Sequence, residues 1–201
     1  MGNYVTVAGR PHPHWGTDPC PGDPEAVEVL AGRLQDYGER AGVVSAFFEG
    51  AGDDLAAAGS WHGESQLAFD QVMKRFPMNL RPVSDALDGV AAALRGWAGE
   101  LRELQSDTLY LDWRLGDARR IEKQAWERLV AFEQEIGSLE PDQRHEWNQL
   151  TMLHEEALAR QREAEAALTE RENTYRERAV HYGALIRDSH IGGMYGVGPG
   201  I

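Results

Sequence analysis

Cysteine is nearly missing from this chain: Cys20 stands alone. One thiol excludes an internal disulfide and any zinc site built on several cysteines. Proline is absent between Pro82 and Pro141 and again between Pro141 and Pro199, so neither run contains the residue that most often ends a helix. No stretch alternates apolar and polar residues with β-branched enrichment, and no turn dipeptide joins two such stretches, so no sheet is predicted. No apolar run approaches about 18 residues, so no membrane insertion is expected. Met1 to Pro24 carries no basic region followed by an apolar core, and any export is expected to bypass a Sec-type signal. Basic residues are outnumbered, 20 Lys and Arg against 33 Asp and Glu, for a net charge of −13. That balance lacks the basic footprint of a nucleic-acid binder. It also disfavours anionic membrane surfaces and suits a soluble chain or one with a basic partner.

What the chain does have is a long three-four repeat of apolar residues. Upstream it reads Val27, Leu30, Leu34, Tyr37, Ala41, Val44, Phe48, Ala51, Leu55 and Ala58. It resumes at Phe69, Met73, Phe76, Leu80, Val83, Leu87, Val90, Leu94, Trp97, Leu101 and Leu104. Such steps put one side chain per turn on a single helix stripe. Between the two stripes lies Ser60-Trp61-His62-Gly63-Glu64. Gly63 can take a positive φ at little cost. Trp61 brings a large ring with one N–H donor; it reads as a plug for the end of a hairpin or, with its edge exposed, as part of a recognition site. The pattern predicts an all-α fold: a long antiparallel helical hairpin with a Trp-x-Gly turn, an extended second helix, and a third helix folding back as a coiled coil. Apolar residues make up 42%, many of them Ala, which suits thin helical packing.

In chain order, residues 1–22 hold Pro11, Pro13, Pro19 and Pro21 among several glycines and read as a flexible leader. His12, His14 and Cys20 lie close together there, but no scaffold positions them for a metal. Asp23 suits a helix N-cap, Pro24 the first helical position, and Glu25 and Glu28 the positive end of the dipole. This first helix is predicted to reach about Gly59. Gly32, Gly38, Gly42, Gly50 and Gly52 each weaken it, by about 1 kcal/mol in the interior, but allow another helix to approach closely. Phe47 widens the stripe beside Phe48.

The second helix is predicted to begin near Glu64. Its stripe keeps phase past Pro77 and Pro82, which points to one kinked helix rather than two. The stripe continues through Thr108, Leu111, Leu115, Ala118, Glu122, Ala125, Leu129, Phe132 and Ile136, with Thr108 and Glu122 its poor members. A helix over 64–137 would approach 110 Å at about 1.5 Å per residue, more than the first helix can cover. Gly137 to Asp142 reads as a stop and restart. A third helix, from about Asp142 to Arg187, would cover the remainder with Trp147, Leu150, Leu153, Ala157, Ala164, Leu168, Tyr175, Tyr182 and Leu185 inward. The charged residues between them read as a solvated face, braced by opposite charges three or four apart. The expected division is a leader over 1–22, a hairpin over 23–105, a second hairpin or coiled coil over 106–187, and a Gly-rich flexible tail over 188–201.

Chemistry-bearing constellations are few. His145-Glu146 and His154-Glu155 lie nine residues apart, not at the i, i+4 His spacing that grips zinc on one helix face. The glycines from Gly192 to Gly200 follow a helix rather than a strand and form no phosphate cradle; they read as a flexible end or a linker. No Ser/His/Asp set lies in a strand-turn context, and no paired carboxylates lie in an apolar setting. No catalytic residue, cofactor or metal is expected, and the chain does not read as an enzyme.

The helix, Trp-x-Gly, helix arrangement resembles the WXG-type substrates of bacterial type VII (ESX) secretion systems. It is closest to the N-terminal secretion-signal domains of actinobacterial polymorphic toxins. The likeness is carried by Gly22-Asp23-Pro24, by Trp61-His62-Gly63 followed by Ser65, Ala68 and Phe69, by Pro77 with Leu80, and by the Ala/Leu-rich run 86–104. It covers roughly residues 22–118. The resemblance implies a non-catalytic targeting or adaptor domain, secreted by a Sec-independent route after a cytoplasmic stage. The implied partners are a small WXG-like helical protein, paired through the hairpin, and a secretion ATPase. Trp61 and Gly63 at the turn, with Phe47, Phe48 and Phe69, are the expected partner-binding residues. Two departures stand out. The family's export signal, Tyr-x-x-x-Asp/Glu, is absent: Tyr110, Tyr175 and Tyr182 are followed four residues on by Arg114, Ala179 and Ile186. A partner must supply the signal, or its form differs. No toxin domain follows within these residues. The same rods also suit a self-assembling coiled-coil scaffold, a homodimer with no export role.

Overall fold

The computed structural model describes residues 12–58, 63–133 and 140–194. Among them the chain is all helical, without a strand: α1 spans Pro24–Ala58, α2 Glu64–Glu133 and α3 Pro141–Met194. Ser60, Trp61 and His62 of the expected turn, Gly137 to Leu139 of the expected stop, and the tail beyond Met194 lie outside the described residues.

Each helix start has a local cause. At α1 the Ala26 N–H donates to Asp23 Oδ1 (3.0 Å), the N-cap bond expected of that residue, and Pro24 takes the first helical position. At α2, Gly63 has φ +116° and its carbonyl accepts the Gln66 and Leu67 N–H groups. That φ is left-handed and favours glycine. At α3, Gln143 reaches back to accept the Glu140 N–H at 2.9 Å, half of a capping box just ahead of Pro141. α2 runs unbroken through Pro77 and Pro82 to Glu133, and α3 continues past the expected end at Arg187.

The chain forms two compact units. One comprises Met1–Gly22 and Leu101–Glu177, the other Asp23–Glu100 and Arg178–Ile201. Residues 12–22 join the later part of α2 rather than standing apart.

In the first unit the α2 stripe is the buried face expected of it: Leu101, Leu104, Thr108, Leu115, Ala118, Ala125 and Leu129 are buried. On α3, Leu150, Ala157, Ala164 and Leu168 answer them, whereas Leu153, also expected inward, is exposed. Leu115, Ala164 and Leu168 form one cluster with Leu111 and Trp15 packed against it. Each fully buried Leu contributes about 1.5–3 kcal/mol. The two poor stripe members find polar partners: Thr108 donates to the Gln105 carbonyl (3.1 Å), and Glu122 faces His154 (3.6 Å). Part of the charged face of α3 also reaches α2, through Arg119–Glu165 (2.9 Å), Arg171–Asp107 (3.2 Å) and Arg114–Glu163 (3.5 Å). Partly exposed pairs of this kind contribute at most about 1 kcal/mol each.

The flexible leader expected over 1–22 does not describe its later half. Residues 12–22 lie seated on this unit, with His12, Pro19 and Cys20 buried. Two buried polar side chains of α2, seven positions apart, hold their backbone. Asp112 Oδ1 accepts the N–H groups of His14 (3.2 Å) and Trp15 (2.7 Å). Gln105 Nε2 donates to the carbonyls of Cys20 (2.9 Å) and Gly22 (3.0 Å). The Tyr175 hydroxyl donates to the Pro21 carbonyl (2.9 Å), and Arg119 to that of His14. The His14 ring fills the space where a Cβ at Gly116 would stand. The composition of a loop says where regular structure ends; whether the loop is pinned depends on side chains some hundred residues away.

In the second unit α1 meets α2 along a line the apolar repeat did not mark. Among the described side chains of α1 the buried ones are Pro24, Ala31, Gly38 and Ser45, at seven-residue steps. Leu30, Tyr37 and Val44, expected inward, are exposed, while Val27, Leu34, Ala41 and Phe48 are half-buried. The cause is close approach. Ser84 Oγ donates to the Gly38 carbonyl (2.8 Å), and a Cβ at 38 would stand 2.9 Å from Asp88 Oδ1 and 3.3 Å from the Ser84 carbonyl oxygen. Flanking contacts join Glu49 to Arg81 (3.3 Å) and Gln35 to Arg95. α3 enters this unit through Tyr182, whose ring lies over Gly96 and near Trp97 (centroids 5.7 Å) and whose hydroxyl donates to Glu100 (3.0 Å). Burial first, then the Glu100 carboxylate, raises the Tyr182 pKa.

Candidate partner-binding face

Because small residues take the buried line of α1, its large residues point elsewhere. At about 100° per residue, Ala26, Arg33, Arg40 and Phe47 fall on one line opposite Gly38. Val29 and Val43 flank that line on one side, and Leu30, Tyr37 and Val44 on the other. Every one of these residues is exposed. Val43 and Phe47 are the most open of the apolar ones, at 70% and 69%. A contiguous apolar strip on one helix face marks an interaction surface more often than scattered exposed residues do. Asp36 on one flank and Asp54, one heptad beyond Phe47 on the midline, are the acids of the sector, and among the described residues neither Arg33 nor Arg40 has an ion pair or side-chain hydrogen bond.

The expected partner-binding residues distribute unevenly over this face. Phe47 stands on the strip's midline. Phe48, half-buried, meets it edge-to-face with ring centroids 5.8 Å apart. Phe69 on α2 is half-buried as well. Gly63 shapes the entry to α2, as its φ shows. Trp61 lies outside the described residues.

No known protein family, curated protein or solved structure matches this chain. The functional reading therefore rests on the geometry of the chain itself and on the resemblance stated above.

Other chemistry is sparse. Among the described residues no three His, Cys, Asp or Glu side chains lie close enough to share a metal ion. Of the leader's candidates, His12 is buried with Nε2 3.6 Å from Asp18 Oδ1, while His14 is exposed. Cys20 is buried, and burial, followed by the neighbouring Asp18 carboxylate, pushes its thiol up to about 11. Such a thiol is inert at neutral pH. His145 and Glu146 line an open depression of about 390 Å³ with Arg128, Asp142, Gln149, Leu150 and Leu153. Among the described residues no helix is long and apolar enough to cross a membrane.

Sequence reasoning missed Arg33 and Arg40. It treated the three-four repeat as the inward face and so left the outward sector unread. The signal was present in the heptad Ala31, Gly38, Ser45, whose small side chains mark a contact line as surely as large ones do.

Proposed function

We propose that this chain is a non-catalytic targeting or adaptor domain for type VII secretion. In this reading α1 and α2 form an antiparallel hairpin about the Trp61–Gly63 turn, and the hairpin pairs with a small WXG-like helical protein for recognition by a secretion ATPase. Export follows a Sec-independent route. The observation that carries the reading is the outward apolar strip of α1, which leaves a helix-length surface for a second chain. The hairpin is supported by the order of its contacts: Gln35 with Arg95, Gly38 with Ser84, and Glu49 with Arg81, rising along one helix and falling along the other. A coiled-coil return of α3 on α2 is supported in the same way by Asp107 with Arg171, Arg119 with Glu165, and Glu122 with His154.

Co-expression with a small helical protein encoded beside this gene should yield a stable heterodimer. Trp61→Ala and Gly63→Ala should each abolish export from a host carrying the secretion system. Folded variants exported at the wild-type level would end this reading. A self-assembling scaffold is the second reading. It is favoured by another apolar patch, on the outer side of α2, where exposed Tyr110 and Trp113 stack (centroids 6.4 Å) beside exposed Leu109. Light scattering separates the two: a discrete homodimer without any partner supports the scaffold.

A further inference from the structure

We infer that the outer strip of α1 docks a partner helix bearing two carboxylates seven residues apart within an otherwise apolar face. That the partner is a helix rests on the function proposed above; the charge it carries follows from this chain's own residues. Arg33 and Arg40 lie two turns apart on one line, with exposed apolar side chains on both sides of them. A helix that covers Val29, Leu30, Tyr37, Val43, Val44 and Phe47 must also cover the two guanidiniums. Covering an arginine without a counter-charge strips its water and returns nothing. Both guanidiniums are available, because among the described residues neither is engaged by a carboxylate of its own chain. A carboxylate meets a guanidinium with two parallel hydrogen bonds, and a seven-residue repeat on the partner matches the Arg33–Arg40 step.

The net charge of −13 does not oppose an acidic partner at this place. Exposed charges farther away than about 8–10 Å are screened at ordinary ionic strength, so the local pair of arginines dominates. A second copy of this chain fits less well. Its own strip offers Asp36 and Asp54, eighteen residues apart, and among the described residues no two carboxylates at the seven-residue step of Arg33 and Arg40. A polyanion would satisfy the arginines but leave Phe47 and the valines in water.

The test uses the full chain and two designed helical peptides with the same leucine face. One carries two Glu seven residues apart and the other two Lys. Fluorescence anisotropy should show the Glu peptide binding at least about tenfold more tightly. Arg33→Glu with Arg40→Glu should reverse that preference, and Arg33→Gln with Arg40→Gln should abolish it, with helical circular dichroism unchanged. Equal binding of both peptides, or binding of neither, overturns the inference. So does a homodimer in sedimentation that Arg33→Glu with Arg40→Glu leaves intact while the Glu peptide fails to bind. Normal export alongside absent charge preference removes this inference alone. Export indifferent to Trp61 and Gly63, with the charge preference intact, removes the secretion reading alone.

Discussion

Replacing Asp112 with alanine should loosen residues 12–22 from α2 and make Cys20 reactive. Asp112 is buried, and one of its oxygens accepts the N–H groups of both His14 and Trp15. Hydrogen bonds to a charged group are each worth about 1.5–3 kcal/mol net. Once lifted, the arm regains water for both amides, which places the combined loss near the low end, about 2–4 kcal/mol. At about 1.4 kcal/mol per tenfold, the opening constant should rise about 30- to 1,000-fold. Gln105 and Tyr175 still hold the carbonyls of Cys20, Pro21 and Gly22, which again favours the lower figure. Cys20 is the natural reporter. It is the only thiol, it is fully buried, and its pKa is pushed up to about 11 while the arm is seated. Alkylation at pH 8 therefore proceeds through the open state, and its rate follows the opening constant. Asp112→Asn keeps one acceptor and should fall between the two. If Asp112→Ala labels within about twofold of the parent while both label equally in urea, then Asp112 does not hold the arm, and the hydrogen-bond energies used here do not apply to it.

Gly38→Val should destabilise the fold by about 2–3 kcal/mol in urea melts, because a Cβ there meets the Ser84 carbonyl and Asp88. Gly32→Ala, where nothing lies within 4 Å, should instead stabilise it by up to about 1 kcal/mol. Asp23→Ala removes the N-cap bond to Ala26 and should cost about 1 kcal/mol. Alkaline pH should weaken the fold through Cys20. Its folded pKa lies above the ordinary 9.0, so the folded state holds the proton more tightly; the associated stability is full below pH 9 and lost as the pH rises to about 11. Cys20→Ala should flatten stability between about pH 9 and 10, and Tyr175 and Tyr182, both raised above 10.0, should leave a residual decline from pH 10 upward.

Several features were legible in the amino-acid order alone. The all-helical class, the starts at Asp23-Pro24 and Gly63-Glu64, and the passage of α2 through Pro77 and Pro82 depend on caps, breakers and phase, which act within one or two turns. The buried stripe from Leu101 to Leu129 was legible for a related reason: there large side chains do the packing, so hydrophobicity and burial coincide. On α1 they part company. Gly38, Ala31 and Ser45 take the interface because two backbones can approach there, and that condition belongs to the pair of helices rather than to either one. The outward strip with Arg33 and Arg40 is a consequence of that choice. The seating of residues 12–22 was beyond sequence for the same reason. Asp112 and Gln105 read as ordinary polar positions until folding carries them to the backbone of a segment about ninety residues earlier, where the buried carboxylate and the Gln105 Nε2 donor find their partners.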